Sequence, residues 1–550
     1  MRTGKQALIE QFLAAGITHM FGNPGTVEQG FLDALEEFPD FHYVLTLQET
    51  VAAGIADGYA RATGGPALLQ LHSGVGLGNG IGMIYQAKRG HAPLVVVAGE
   101  SGIAYDSMDA QMAADLVSMA RPVTKWATRV VDPSSLLRVV RRAVKVAMTP
   151  PRGPVFLCLP MDVLDAENSE PVLAPSIPSS RVQPEAALVD RAADLLLAGR
   201  RPLVLVGDGV ATSGGAAAVV AVAEALGADV WGVDSSEPNM PADHPLYRGL
   251  TGHMFGEVST RIVAEADAVL IAGTYVFPEV FPSLVSPFAP DARIVHVDLD
   301  DWEIAKNHPV DLGVVADPAL TLGLLAERLR TRADAGYRQE AAARLDRARS
   351  RRQEQDAAGH PGDDSLMAAF VAALARRVGE DVMIFDEALT ASPVLARALP
   401  PVKPGHHFLT RGGSLGVGVP GAVGMKIAHP DRQVLAFVGD GGAMYTYQGL
   451  WSAARHGVGV KIVVCNNHRY DLLNRNIEQY WRERDIPHHE FPHSFDLATP
   501  EIDFVGLAAA LGVNGMRLDK PELVDEAVDR LLADDRPFVI DLLTDDLTGH

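Results

Sequence analysis

A chain of 550 residues is too long for a single hydrophobic core, so about three domains are expected. With 47 Lys and Arg against 69 Asp and Glu, the net charge of −22 disfavours nucleic acid or an anionic membrane as partner. A hydrophobic content of 47% with 21% charged residues is ordinary for a globular enzyme, and no apolar run approaches the roughly 20 residues of a membrane span.

No long apolar stretch follows Arg2 and Lys5, so no secretory signal is read and a cytoplasmic enzyme is the expectation. Cys158 and Cys465 sit in apolar, strand-like runs, which reads as two buried free thiols rather than a disulfide framework.

An amphipathic helix over 5–15 stops at Gly16, and a strand over 17–21 leads into the turn Gly22-Asn23-Pro24-Gly25-Thr26. A second strand, 41–47, precedes Gln48-Glu49 and a helix of small residues over 51–63. The next strand, 67–71, leaves through His72 and a glycine-rich stretch ending at Asn79, and apolar runs at 94–98 and 155–159 continue the series. Strands alternating with helices predict a doubly wound α/β sheet that gathers ligands at the carboxyl ends of its strands. Thr26, Glu49 and His72 stand at such ends. Taken alone, Glu49 reads first as a carboxylate favoured at a helix N-terminus, and His72 as a polar loop residue.

The Pro-rich stretch 170–183 reads as a linker. Runs at 202–207, 268–273 and 293–298 predict a second parallel sheet, in which the GDGV at 207–210 is a strand turn. The charged stretch 326–355 reads as a solvated helical connector. From Asp364 a last third begins, with a strand over 382–385, the segment Asp386 to Ser392, and the glycine-rich RGGSLGVG at 411–418 ahead of a helix.

An apolar run at 434–438, suited to a strand buried on both faces, ends abruptly at Gly439-Asp440-Gly441-Gly442. Glycines there let backbone N–H groups approach an anion, and Asp440 offers the hard oxygen that Mg²⁺ prefers. A helix over 446–455 and a strand over 461–465 follow, ending in Asn466-Asn467, the latter 27 positions after Asp440. A crossover of that length returns the chain to the same sheet edge, where both residues can reach one metal. A bare GDGG would read as a tight turn; the pair at this spacing is far more specific.

GDG with the downstream Asn-Asn resembles the thiamine diphosphate signature. FGNPGT, LQETVAAGIADGYAR and LHSGVGLGNGIG resemble the pyrimidine-binding domain of the thiamine diphosphate-dependent 2-oxo acid decarboxylase and carboligase family, above all its benzoylformate decarboxylase branch. The resemblance implies three doubly wound parallel-sheet domains: pyrimidine-binding over 1–170, middle over 185–335, and diphosphate- and Mg-binding over 364–550. Thiamine diphosphate and Mg²⁺ are the implied cofactors. Glu49 would hydrogen-bond the aminopyrimidine, its proton held by burial in an apolar cleft. His72 and Thr26 would face the reacting carbonyl, Thr26 where that branch has serine. Asp440, the Asn467 side chain and the Arg469 main-chain carbonyl would ligate Mg²⁺. Thr390, Gly441 and Gly442 would hold the diphosphate, Gly413 would give the pyrimidine a backbone contact, and Leu415 would wedge the cofactor into its bent form.

In the family the cofactor lies between the pyrimidine domain of one subunit and the diphosphate domain of another, so a homodimer is the expected minimum and a homotetramer the expected assembly. The implied reaction is decarboxylation of an aryl or substituted 2-oxo acid to an aldehyde and CO2. The alternative is a carboligase or C–C lyase of the acetolactate synthase, benzaldehyde lyase or 2-hydroxyacyl-CoA lyase kind, acting on a 2-oxo acid or aldehyde.

Three departures bear on substrate. Val280 aligns where the branch has a second histidine, with His253 as a nearby substitute. After the double asparagine, Asp471 replaces glycine, Leu473 stays apolar, and Asn476 stands where an aromatic would suit a phenyl substrate, which points to a polar or hydroxylated one. The stretch 487–500 looks like a lengthened loop whose His488, His489 and His493 read as a lid or as exposed side chains, without zinc-site spacing. Some relatives hold a nucleotide in the middle domain; nothing in this sequence requires one.

Overall fold

The apolar runs become the inner strands of three parallel sheets in the computed structural model, each of six strands with helices packed against it. Residues 2–233, 235–359 and 364–544 are described; residues 1, 234 and 545–550, which fall in the expected first, middle and third domains, lie outside them. The first sheet holds β1 (His19–Gly22), β2 (His42–Leu45), β3 (Ala67–Leu71), β4 (Leu94–Glu100), β5 (Trp126–Arg129) and β6 (Val155–Pro160), in the order β2-β1-β3-β4-β6-β5. The second holds β7 (Pro202–Val206), β8 (Asp229–Gly232), β9 (Tyr247–Leu250), β10 (Ala268–Ala272), β11 (Arg293–Asp298) and β12 (Leu312–Val315), in the order β12-β11-β10-β7-β8-β9. The third holds β13 (Met383–Glu387), β14 (His407–Leu409), β15 (Val434–Gly439), β16 (Lys461–Asn466), β17 (Asn514–Leu518) and β18 (Phe538–Leu543), in the order β14-β13-β15-β16-β18-β17. β3, β4, β10 and β16 are buried along their whole length, as expected of parallel strands covered on both faces.

Two expectations are corrected. The helix expected over 446–455 is two short ones, Asp440–Thr446 and Gly449–Arg455, and the first begins at the GDGG turn itself. The stretch 326–355 is no solvated connector. It lies in the helices Pro318–Arg332 and Ala335–Ala358, and the second, otherwise mostly exposed, packs against the helix Ala216–Leu226 of the middle unit through buried Ala341 and Ala348. Arginine stems span the gap: Arg344 donates to the Leu226 carbonyl at 2.7 Å, and Arg351 pairs with Asp229 at 2.8 Å.

The first sheet and the glycine-rich region around β15 share one compact unit, tied by two crossing helices, Glu49–Thr63 and Gly418–Ala428. Their backbones nearly touch. A Cβ on Gly58 would stand 2.0 Å from the Gly421 carbonyl oxygen, and one on Gly424 2.0 Å from that of Ile55. Beside this crossing Asp57 is fully buried, 3.8 Å from Arg61, whose guanidinium lies over the Phe385 ring. Burial pushes the Asp57 carboxyl up to about 6 against the opposing pull of Arg61.

Candidate active site

Glu49 opens its helix because Gln48 caps it, the Gln48 side chain accepting from the Thr50 and Val51 N–H groups. The Glu49 carboxyl is 6% exposed, yet its surroundings are not the apolar cleft expected from sequence. The Asn79 amide donates to Oε2 at 3.0 Å, and that of Asn23 to Oε1 at 3.4 Å. Both oxygens thus accept from neutral amide donors.

His72 follows β3 and forms the N-cap of the helix Ser73–Arg89. Its Nδ1 lies 2.8 Å from Oε2 of Glu28, and Oε1 of Glu28 accepts the Gly99 N–H at 2.9 Å. Burial pushes the Glu28 carboxyl above the usual range, while the His72 and Gly99 contacts pull it back. The turn after β1 must carry glycine here, since a Cβ on Gly25 would fall 1.9 Å from His72 Nδ1. Thr26, in that turn, is exposed. Sequence reasoning missed Asn23, Glu28 and Asn79. Asn23 and Asn79 lie inside the motifs quoted above, but nothing local reveals that Glu28 meets a histidine 44 positions away.

In the third sheet β15 lies between β13 and β16, with Val438 opposite Glu387 and Gly439 opposite Cys465. Asp440 and Asn467 therefore leave adjacent strands at the same edge. Asp440 is buried; its Oδ1 accepts the Gly441 N–H at 2.8 Å, and its Oδ2 has no hydrogen-bond partner. Burial holds this carboxyl above the usual range. Asn467 is half-buried, and its Oδ1 accepts the N–H of Arg469, whose side chain is exposed. Among the described residues no three His, Cys, Asp or Glu side chains gather to hold a metal. An ion at this edge would be held by a carboxylate, an amide and a carbonyl, a hard all-oxygen set that suits Mg²⁺. Asp440 Oδ2, buried and unpaired, is the orphan such an ion would satisfy.

The diphosphate cradle also fits. A Cβ on Gly441 would lie 2.2 Å from the Tyr470 ring, and one on Gly442 2.7 Å from Glu387 Oε1. Thr390 is half-buried in the turn Leu389–Ala391; Gly413 is exposed with a positive φ of 73° and open space beside it; Leu415 is half-buried. Glu387, at the end of β13 and not read from sequence, is 1% exposed.

The histidine loop is pinned while its imidazoles stay exposed. Tyr470 N–H donates to the Phe495 carbonyl at 2.9 Å, and Leu497 N–H to that of His468 at 2.8 Å. Trp481 packs against His489 and Phe491, with ring centroids at 4.3 and 5.7 Å. His488, His489 and His493 are exposed. Asp471 pairs with Arg475 at 2.9 Å, and Asn476 is half-buried on the same helix, Asp471–Glu483, with Leu473 on its exposed side.

In the middle unit Val280 is exposed and donates its N–H to the His253 carbonyl at 3.1 Å, so the two are neighbours. Asp208 of the second GDG is engaged structurally, accepting from the Ser236 N–H and hydroxyl and the Glu237 N–H.

Three sequence models of the thiamine pyrophosphate enzymes match: the N-terminal TPP binding domain over residues 2–119, the central domain over 189–325, and the C-terminal TPP binding domain over 390–542. Benzoylformate decarboxylase of Pseudomonas aeruginosa is 31% identical, covering 99% of both chains. Acetolactate synthase isozyme 2 large subunit of Escherichia coli is 27% identical over 99% of this chain and 96% of its own. Among solved structures, the thiamine diphosphate-dependent 4-hydroxybenzoylformate decarboxylase of Rhodococcus jostii superposes with a TM-score of 0.86 at 28% identity, covering both chains fully. No helix among the described residues is long and apolar enough to cross a membrane. Parallel-sheet architecture, clustered strand-end polar groups and full-length similarity lead to one assignment: the chain belongs to the thiamine pyrophosphate enzyme family, within its 2-oxo acid decarboxylase and carboligase group.

Proposed function

We propose that this chain decarboxylates an aryl or otherwise substituted 2-oxo acid to an aldehyde and CO2, using thiamine diphosphate and Mg²⁺. The observation that carries this reading is the Glu28–His72 pair, with Glu28 buried, beside the amide-oriented Glu49, which puts an imidazole with a carboxyl partner and a second carboxyl at neighbouring strand ends. Bound thiamine diphosphate would supply the electron sink for C–C cleavage. Asp440, the Asn467 side chain and the Arg469 carbonyl would hold Mg²⁺, and the Gly441 and Gly442 N–H groups with Thr390 would take the diphosphate. Gly413 and Leu415 would position the pyrimidine end, with Glu49 bonding the ring. Glu28 fixes the Nδ1 side of His72, so Nε2 is left to serve the substrate with Thr26. Glu49 and Asp440 would act across a subunit boundary, in a dimer at minimum and a tetramer in full.

Asn476 and Asp471 favour a substrate with a polar or hydroxylated substituent, a direction also taken by the similar 4-hydroxybenzoylformate decarboxylase. A second reading, ligation or C–C lyase chemistry, is favoured by one observation: Val280, exposed, has an apolar side chain that cannot donate a proton, and His253 lies beside it. Acetolactate synthases among the relatives agree with it. The test is CO2 release across a panel of 2-oxo acids with thiamine diphosphate and Mg²⁺, products identified by mass. Free aldehyde matching CO2 supports the first reading; an acyloin product, or no release from any acid, supports the second.

A further inference from the structure

Glu387 is the most enclosed carboxyl near the cradle, and among the described residues no cation is found pairing with it. Its Oε1 accepts the Gly416 N–H and its Oε2 the Gly418 N–H, both at 2.5 Å. Gly418 is the first residue of the eleven-residue helix that crosses Glu49–Thr63, so the carboxyl also faces a helix N-terminus. Gly416 has a φ of +85°, and its carbonyl is tied from the opposite side by the Thr446 hydroxyl at 2.6 Å. The same Glu387 Oε1 fills the space where a Cβ on Gly442 would stand. One side chain thus touches both the wedge loop, 413–418, and the GDGG turn. Burying a carboxyl is costly unless its donors are in place, so Glu387 favours the loop geometry that supplies them.

We propose that Glu387 is a positioning residue that locks the wedge loop to the diphosphate turn, setting the spacing between the pyrimidine contacts and the diphosphate contacts before the cofactor arrives. This rests on the thiamine diphosphate reading of the site. Glu387 acts through the residues it touches, Gly416, Gly418 and Gly442. Preorganisation of this kind appears in cofactor affinity and in the chemistry of bound cofactor, beyond its effect on stability.

The test uses full-length protein stripped of cofactor, with Glu387→Gln and Thr446→Val as variants. Glu387→Gln keeps the shape but turns an NH2 toward a backbone N–H; Thr446→Val cuts the second tie without touching the carboxyl. Thiamine diphosphate is titrated calorimetrically with Mg²⁺ in excess, and the rate of C2-proton exchange of the saturated cofactor is followed by NMR, with melting of the cofactor-free protein as the check on folding. The expected result for Glu387→Gln is binding weakened about 10- to 100-fold and exchange slowed about tenfold at saturation, with a smaller loss of both for Thr446→Val. A folded Glu387→Gln that binds and exchanges like the wild type overturns the proposal. If Glu387→Gln does not fold, a folded Thr446→Val with wild-type binding and exchange overturns it equally. Wild-type protein that binds no thiamine diphosphate would instead overturn the proposed function, so the two failures are separable.

Discussion

Nδ1 of His72 stands 2.8 Å from Oε2 of Glu28, joining the turn after β1 to the exit of β3. Hydrogen bonds to charged groups contribute about 1.5–3 kcal/mol, so Glu28→Gln should lower kcat/KM about 10- to 100-fold while leaving thiamine diphosphate affinity near wild type. Gly25→Ala should reproduce that loss, because its methyl would occupy the imidazole's place. Steady-state kinetics with a cofactor titration checks both; unchanged kcat/KM in Glu28→Gln would show that the pair only packs.

Glu49→Gln preserves the partners Asn23 and Asn79 but removes the titrating group. Loss of a positioned acid–base group costs about 10²–10⁴-fold, and the same fall is expected in turnover and in exchange of the bound cofactor's C2 proton. Turnover within tenfold of wild type would remove Glu49 from the chemistry.

Metal dependence should run through Asp440. Chelation should abolish activity and Mg²⁺ restore it in the wild type. Because loss of residues that merely support a metal ligand costs about 10–100-fold in metal affinity, Asp440→Ala should weaken Mg²⁺-dependent cofactor binding by at least about 100-fold. Calorimetry of the variant with excess Mg²⁺ is the measurement.

Asp57 predicts a pH dependence with a definite sign. Its carboxyl titrates near 3.8 when solvated and is pushed up to about 6 in the fold, so between those values the native state holds a proton that the unfolded chain releases. Its contribution is therefore fully present below pH 3.8 and lost as pH rises through 6. A shift of that size corresponds to about 3 kcal/mol. Asp57→Asn should flatten this part of the profile; urea midpoints of wild type and variant compared at pH 4.5 and 7 would read the difference.

Most inner strands were legible because burial on both faces writes a continuous apolar run, and β3 and β11 match the sequence expectation to the residue, but the inner strands β8 and β18 were not read. β5, β9 and β17 escaped because edge strands are partly exposed and carry no such run. Likewise Asp440 and Asn467 were readable as a local motif with fixed spacing, whereas Glu28 and Glu387 were not. Each acts through a partner brought near only by the sheet, and a carboxylate that will be buried looks in sequence like any other.

The crossing of Glu49–Thr63 with Gly418–Ala428 limits how this protein can be recombined. Two backbones meeting at Gly58, Gly421 and Gly424 leave no room for a methyl group on either side. A chimaera that joins this first sheet to another protein's diphosphate sheet would keep the crossing only where the new helix also carries small residues opposite Gly58 and Ile55. The first and third sheets, though far apart in sequence, are thus constrained to change together at this crossing.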